Sequence, residues 1–283
     1  MTNTTTRLRQ PARARSLRLG DTTVTYVPDG AVQLIPRGWL PDTTEETWAA
    51  HPEYLDESGN LVGSIGGLLV ERAGRALLVD AGVGPVSMPA QAGNPYGAIH
   101  GGALLDGLAT LGRRPADIEA VAITHLHLDH LGWAAAFTDA DYLVTADEWA
   151  QRHLAEEAGT SRAVLDALAP RVRIVSDGEE IFPGVRVLLA HGHTVGHAAY
   201  VITDGDQRLI AFGDALHSPI QVGHPEWSAA SDHDRGKAES FRRRLVADMA
   251  APGTIGFGIH FADVPFGRVD LGGERPVWRP VDA

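Results

Sequence analysis

The stretch VAITHLHLDHLGW, residues 121–133, joins an apolar run to a cluster of histidines. Its apolar start belongs to the segment IEAVAIT (118–124), where apolar residues run on without alternation, which predicts a strand buried on both faces. Directly after this strand come three histidines and one aspartate within six positions: His125, His127, Asp129 and His130. Metal-binding side chains at the end of a rigid strand predict a site that opens toward a substrate.

Three more candidate ligands follow apolar strands later in the chain. They are His193 in VLLAHGHTVGH, Asp214 in LIAFGDALH and His260 in TIGFGIHF. The chain has no cysteine, so imidazole and carboxylate remain as ligand types, and both suit zinc or iron. One ion cannot comfortably take all four groups of the first motif, which predicts two neighbouring ions.

The seven side chains divide between these two ions. The predicted ligands of the first ion are His125, His127 and His193. The predicted ligands of the second ion are Asp129, His130 and His260. Asp214 is predicted to bridge both ions.

The sequence around the other histidines gives less reason to predict metal ligands. His197 is expected to brace its loop. His191 is expected to be either an exposed residue or a functional one. No site role is expected for five more: His51, His100, His153, His224 and His233.

Composition excludes several classes of protein. No apolar run approaches the roughly 18 residues that a membrane span needs. The formal net charge of −12 disfavours a nucleic-acid partner, because like charges repel. We therefore expect no membrane or nucleic-acid partner, but a soluble, cytoplasmic protein that acts on a small molecule. A homodimer is left open as its assembly.

The first twenty residues differ from the rest of the chain. They contain five arginines and no acidic residue, and they lack the apolar core of a secretory signal. We expect residues 1–20 to form a flexible basic leader, with a lead-in to a strand as the alternative. Residues 21–283 are expected to form a single domain.

Coarse periodicity predicts short strands separated by helical stretches in an α/β domain. The segment GGLLVERAGRALLVDAG (66–82) predicts a hairpin with its turn at Ala73 and Gly74. Helices are predicted over three stretches: 131–137, 146–158 and 234–250. Two long loops are interpreted as lids or binding loops: 36–60 and 82–102.

The motifs THLHLDH, GHTVGH, FGD and GIH together resemble the metallo-β-lactamase superfamily, across about residues 60–262. This resemblance implies a four-layer αββα sandwich of two mixed β-sheets flanked by helices. It also implies two metal ions per chain, usually zinc, with the ligand roles given above. LLVDAG resembles an early strand and loop of the family, in which Asp80 would orient a metal ligand.

Departures from the family pattern indicate which branch of the family this sequence resembles. A cysteine ligand is absent and Asp214 is present, which argues against antibiotic hydrolysis. The pattern GD-x-x-H puts His217 where N-acyl-homoserine lactonases generally carry a tyrosine. This pattern is more similar to methyl parathion hydrolase, so the resemblance points to that lactonase-like branch.

The resemblance implies a dinuclear-zinc hydrolase that cleaves an ester, lactone or phosphotriester of a small, fairly apolar substrate with a metal-bridging hydroxide. Catalytic roles are assigned to Asp129, Asp214 and His217; His217 either donates a hydrogen bond to the reacting oxygen or has a structural role. Candidate pocket residues are Trp39, Leu40, Trp133, Ile220, Phe261 and Phe266. One alternative is a thioesterase or a biosynthetic cyclase of the same fold, and a second is a mononuclear iron dioxygenase.

Overall fold

The computed structural model describes residues 4–281, which form two mixed β-sheets and flanking helices. The strands of the first sheet are β1 (Arg15–Leu19), β2 (Thr22–Leu34), β3 (Leu61–Arg72), β4 (Arg75–Val79), β5 (Ser87–Met88), β6 (Tyr96–His100), β7 (Ala120–Ala122), β8 (Asp141–Thr145) and β9 (Val172–Val175). Their order is β5-β6-β2-β3-β4-β7-β8-β9, and β1 pairs with the first half of β2. The strands β4, β7, β8 and β9 run parallel to one another, and the other pairs are antiparallel.

The second sheet follows the order of the chain. Its strands are β10 (Glu180–Phe182), β11 (Val185–Leu189), β12 (Ala198–Asp204), β13 (Gln207–Ala211), β14 (Thr254–Phe257), β15 (Phe266–Asp270) and β16 (Val277–Pro280). The pair β13 and β14 is parallel, because the longest helix connects them, and the other pairs are antiparallel.

The helices are mostly short. They are α1 (Thr4–Arg7), α2 (Pro36–Trp39), α3 (Glu45–Ala50), α4 (Leu104–Thr110), α5 (Leu128–Leu131), α6 (Ala146–Ala150), α7 (His153–Glu157), α8 (Arg162–Leu168) and α9 (Arg235–Met249). No helix among residues 4–281 combines the length and apolar content needed to cross a bilayer.

Three apolar layers hold the sheets and helices together. The central layer lies between the two sheets, where Tyr26 of β2 packs against Phe257 of β14 with ring centroids 5.8 Å apart. A second layer packs α4 and α8 on the outer face of the first sheet. A third packs α9 on the outer face of the second sheet. The predicted αββα sandwich is therefore confirmed.

The predicted hairpin at residues 66–82 is confirmed as β3 and β4. Ala73 and Gly74 form its turn with φ of 50° and 81°, the left-handed values that a two-residue turn of this type requires. The long predicted helix at 234–250 is confirmed as α9.

The helix predicted over 131–137 does not form as one element; only Ala134–Ala136 form a short 3-10 helix. α5 ends at Leu131 because the next two amides leave the helical pattern: Gly132 donates to the Gly82 carbonyl at 2.7 Å, and Trp133 donates to the Ala81 carbonyl at 3.0 Å. Gly132 cannot carry a side chain here, since a Cβ would lie 1.9 Å from the carbonyl carbon of Val83.

The two predicted loops contain regular structure. Residues 36–60 include α2 and α3, and residues 82–102 include β5 and β6. β6 pairs with the second half of β2, so this part of the predicted lid is an edge of the first sheet.

The structure differs from the prediction of a flexible leader over residues 1–20. Residues 1–3 lie outside the described residues, but Arg15–Leu19 form β1 against β2. The carboxylate of Asp263 accepts from the Arg15 guanidinium at 2.7 Å and from the Arg13 amide at 3.0 Å. The Arg7 side chain donates to the Asp263 carbonyl at 2.8 Å. These contacts hold the basic segment to the domain, as the alternative of a strand lead-in requires.

Candidate metal centre

The first histidine motif sits where β7 ends. The Tyr200 hydroxyl of β12 donates to the Ile123 carbonyl at 2.7 Å, and the Ala198 amide donates to the Thr124 carbonyl at 2.9 Å. These bonds fix the end of β7 against the second sheet. His125 and His127 follow in irregular backbone, and the short helix α5 carries Asp129 and His130.

The other three predicted ligands come from the second sheet. His193 lies in the loop between β11 and β12, Asp214 in the turn after β13, and His260 just after β14. All three are nearly completely buried. The structure thus brings all seven predicted side chains to one edge of the two sheets, in two groups.

The first group surrounds the Nδ1 atom of His127. It lies 2.9 Å from His125 Nε2 and 3.2 Å from His193 Nε2. The Oδ2 atom of Asp214 lies 3.2 Å from His193 Nε2 and 3.7 Å from His125 Nε2. One ligand atom from each of these four residues lies within 4.8 Å of every other.

The second group surrounds the other oxygen of Asp214. Oδ1 lies 3.1 Å from Nε2 of both His130 and His260, and these two nitrogens lie 3.3 Å apart. The carboxylate of Asp129 lies 3.8 Å from His130 Nε2 and 3.6 Å from His260 Nε2. The two carboxylate oxygens of Asp214 therefore face different groups.

Two observations show that these residues fit divalent cations. Asp214 Oδ1 is buried yet accepts no hydrogen bond, so the fold leaves a charged oxygen aimed at imidazole nitrogens. Burial lowers the pKa of His127 to about 3 and that of His125 well below its ordinary value, so both rings are neutral. A neutral imidazole offers the lone pair that an ion needs. The set is a candidate site for divalent metal ions.

Asp80 orients His130, as the resemblance implies. Its Oδ2 accepts from His130 Nδ1 at 2.8 Å, and the same carboxylate accepts from the Thr124 amide at 2.8 Å and from the Thr124 hydroxyl at 2.9 Å. With Nδ1 committed to Asp80, Nε2 is the nitrogen of His130 that faces Asp214. Asp80 has a φ of 59°, an uncommon conformation for a residue with a side chain.

His197 braces its own loop, as predicted, and it also holds the turn that carries Asp214. Its Nδ1 donates to the Ala190 carbonyl at 3.1 Å, and its Nε2 accepts from the Asp214 amide at 3.1 Å. Burial lowers the pKa of His197 to about 3, which keeps Nε2 an acceptor. Gly213 has a φ of 51°, and a Cβ there would lie 2.7 Å from His197 Nε2, so the turn requires glycine.

Sequence reasoning missed Glu148, which joins the two histidine loops. Its carboxylate accepts from the Leu126 amide at 2.9 Å, the Gly196 amide at 2.9 Å and the Thr194 hydroxyl at 2.6 Å. The sequence shows only one acid among several in a helical stretch. No local signal distinguishes it, because its partners lie 22 to 48 residues away.

A cavity of about 490 Å³ opens beside both groups. Its polar lining includes His127, Asp129, Asp214, His217 and His260. Its walls are mainly apolar: Val32, Leu34, Trp39, Ile65, Val83, Met88, Pro95, Tyr96, Ile99 and Leu128. His217 lies at the junction, because its Nε2 is 3.1 Å from Asp214 Oδ2 and its ring meets the edge of Trp39 at 5.0 Å.

Only Trp39 of the six predicted pocket residues lines this cavity. Leu40 and Ile220 are buried in an apolar cluster behind its wall. Phe261 packs under α9, and Phe266 packs between the two sheets. These four were assigned wrongly because an apolar side chain reads the same in a core as in a pocket.

Trp133 was also assigned wrongly, and its position reveals an unpredicted buried acid. The indole donates to the carboxylate of Asp29 at 2.8 Å. That carboxylate also accepts four backbone amides, from Val83, Gly84, Gly102 and Leu104, at 2.8–3.0 Å. Asp29 therefore ties three loops together beside the site.

Comparison with known proteins places this architecture in a family. A family profile described as "Metallo-beta-lactamase superfamily" matches residues 67–254. Metallo-beta-lactamase domain-containing protein 1 of Rattus norvegicus is 34% identical over 230 residues, which cover 80% of this chain and 76% of that protein. N-acyl homoserine lactonase AiiA of Bacillus thuringiensis subsp. kurstaki is 32% identical over 95 residues; the match covers 34% of this chain and spans only 37% of that lactonase.

Solved structures show the same fold. AidC, described as a dizinc quorum-quenching lactonase in complex with a product, superposes with a TM-score of 0.82 at 20% identity, over 95% of this chain and 98% of that one. The hydrolase AbOPH superposes with a TM-score of 0.80 at 24% identity, over 97% and 99%. From the matched profile and the shared architecture, we conclude that this chain belongs to the metallo-β-lactamase superfamily.

Proposed function

We propose that this protein is a dinuclear-zinc hydrolase that cleaves ester, lactone or phosphotriester bonds of small, fairly apolar substrates. One observation carries the proposal: each oxygen of Asp214 faces a separate group of three further ligands, and a mainly apolar cavity opens onto residues of both groups. The proposed setting is the cytoplasm, on the composition alone, with no membrane or nucleic-acid partner.

The ligand set supports two ions more than one. Seven nitrogen- and carboxylate-bearing residues exceed the four ligands of a structural zinc site. His125, His127 and His193 would hold one ion, and Asp129, His130 and His260 the other. Asp214 would contribute to both. When bound, such ions supply Lewis acidity and make water a nucleophile at neutral pH.

The residues of the chain supply positioning and proton transfer. The apolar walls, including Trp39 and Tyr96, bind the body of the substrate and keep bulk water from the reacting bond. Asp129 is 31% exposed at the base of the cavity, so its carboxylate can accept the proton that attacking water loses. His217 lines the cavity with its Nε2 beside Asp214, and the Nε2–H is the group that can donate to an oxygen of the substrate.

The relatives support hydrolysis without fixing the substrate. AiiA and AidC are both described as lactonases, AbOPH is described only as a hydrolase, and the match to AiiA covers only a third of this chain. The proposal therefore names three bond types. A thioesterase of the same fold is distinguished by substrate, and an iron dioxygenase is distinguished by its metal.

Two measurements test the proposal together. Elemental analysis of purified protein should give about two equivalents of metal per chain, mainly zinc. The same preparation should hydrolyse at least one of an aryl ester, a lactone and a phosphotriester faster than a matched thioester. Asp214→Ala should abolish turnover and weaken metal retention, whereas the exposed control His153→Ala should do neither. One equivalent of metal with iron dominant would overturn the proposal.

A further inference from the structure

A buried ion pair lies directly behind His193. Arg242 of α9 donates through Nη1 to Asp232 Oδ2 at 2.8 Å, and the two side chains are 1% and 0% exposed. The other carboxylate oxygen, Oδ1, accepts from His193 Nδ1 at 3.1 Å. The three residues thus form a continuous chain from the helix to a candidate metal ligand.

Arg242 has no freedom in this arrangement. Its Nε donates to the Pro225 carbonyl at 2.7 Å, and its Nη2 donates to the Ser228 hydroxyl at 2.7 Å. All three guanidinium nitrogens are therefore engaged, and they fix the start of the segment 225–234. A guanidinium presents donors on three nitrogens in one plane, whereas the three donors of a lysine ammonium share one tetrahedral nitrogen and cannot match this arrangement.

The ion pair determines which nitrogen of His193 is available. An ionised carboxylate accepts but does not donate, so Nδ1 of His193 carries the proton. Nε2 is then the nitrogen that faces the site, 3.2 Å from Asp214 Oδ2 and 3.2 Å from His127 Nδ1. Carboxylates behind ligating histidines tune metal affinity in this manner.

We propose that Arg242 and Asp232 are positioning residues for His193, and that they set the affinity of one of the two ions selectively. The inference deepens the proposed function and rests on it in taking His193 as a metal ligand. Selectivity follows because the other group has separate supports: Asp80 holds His130, and the Ser64 carbonyl accepts from His260 Nδ1 at 2.8 Å.

A role confined to folding predicts a different pattern. Removing Arg242 alone leaves a buried carboxylate without its partner, which destabilises the fold. Removing both charges with the double variant Asp232→Asn/Arg242→Met takes away that penalty. If the pair acts only on folding, the double variant recovers both stability and metal binding. If the pair positions His193, stability recovers and metal binding does not.

The experiment compares Arg242→Lys, Asp232→Asn, the double variant and Arg243→Met. The last is a matched control, since Arg243 on the same helix pairs with Glu239 and is 55% exposed. Zinc is withdrawn from each loaded protein by a chromophoric chelator, and thermal unfolding of the zinc-free form gives stability separately. We expect one equivalent to bind roughly 10–100-fold more weakly in Asp232→Asn and the double variant, and the other equivalent to be unchanged. Arg242→Lys should fall between these and the wild type.

The outcomes separate the two proposals. A wild type that retains fewer than two equivalents contradicts the proposed function, and with it this inference. A wild type with two equivalents, and a double variant that releases both as the wild type does, overturns the inference alone. Equal weakening of both ions in step with lost thermal stability also overturns it.

Discussion

The backbone amide of Asp214 donates to Nε2 of His197 at 3.1 Å, so a histidine outside both ligand groups holds the residue that the two groups share. The ring is completely buried, and its other nitrogen is bonded to the Ala190 carbonyl. A change at His197 should therefore act on both groups at once.

We predict that His197→Ala weakens the binding of both zinc ions by about 10-fold or more, because the turn carrying Asp214 loses its brace. Competition with a chromophoric chelator measures this. His153→Ala, at the exposed start of α7, is the control and should bind as the wild type does. Weakening of a single ion would show that His197 does not act through Asp214.

Asp29 should be a determinant of stability rather than of chemistry. Asp29→Ala leaves four amides and one indole without their acceptor, and each buried donor left unpaired costs about 1–3 kcal/mol. Water will recover part of this, so we predict a loss of at least about 3 kcal/mol in the free energy of unfolding by urea. Asp21→Ala, whose side chain is 88% exposed, should change it little. A loss below 1 kcal/mol would contradict the role given to Asp29.

Substitutions of Trp39 and Phe266 should have different effects, the first on substrate binding and the second on stability. Trp39→Ala removes a wall of the cavity, so we predict a KM for an aryl ester raised about 10-fold or more, with the unfolding midpoint nearly unchanged. Phe266→Ala opens a void between the sheets and should cost about 3–5 kcal/mol of stability, with KM unchanged in the folded fraction. Steady-state kinetics and urea unfolding of both variants check this, and the reverse pattern would return Phe266 to the pocket.

His217 should favour substrates with good leaving groups. An imidazole reaches less far than a phenol, and a phenoxide needs less help to depart than a ring-opened alkoxide. We predict kcat/KM for aryl esters at least ~10-fold above that for unactivated acyl-homoserine lactones, which is about 1.4 kcal/mol in barrier. His217→Phe should cost little on aryl esters and more on alkyl esters. An equal loss across leaving groups would leave His217 with a structural role.

The sequence was sufficient for the ligand groups because their residue types are scarce and each follows an apolar strand. His125 and Asp214 could be found from local pattern alone. Glu148, Asp232 and Arg242 could not, since a charged residue on a helix or loop usually faces water and only its distant partners show that it is buried. The helix over 131–137 was predicted wrongly for a related reason: the amides that end α5 bond to the loop at residues 81–82.

The cavity has walls of two different kinds. Val32, Leu34 and Ile65 belong to the long strands β2 and β3, whose other ends form the core between the sheets. Trp39, Ala158 and Ser231 lie outside the sheets: Trp39 ends the short helix α2, and the other two are in turns. Substitutions on the strand side change the framework of the first sheet, whereas those outside the sheets leave it intact. New substrate preferences should therefore arise by mutation of Trp39 and the other lining residues outside the sheets. The part of the substrate that contacts the strands should stay constant in size.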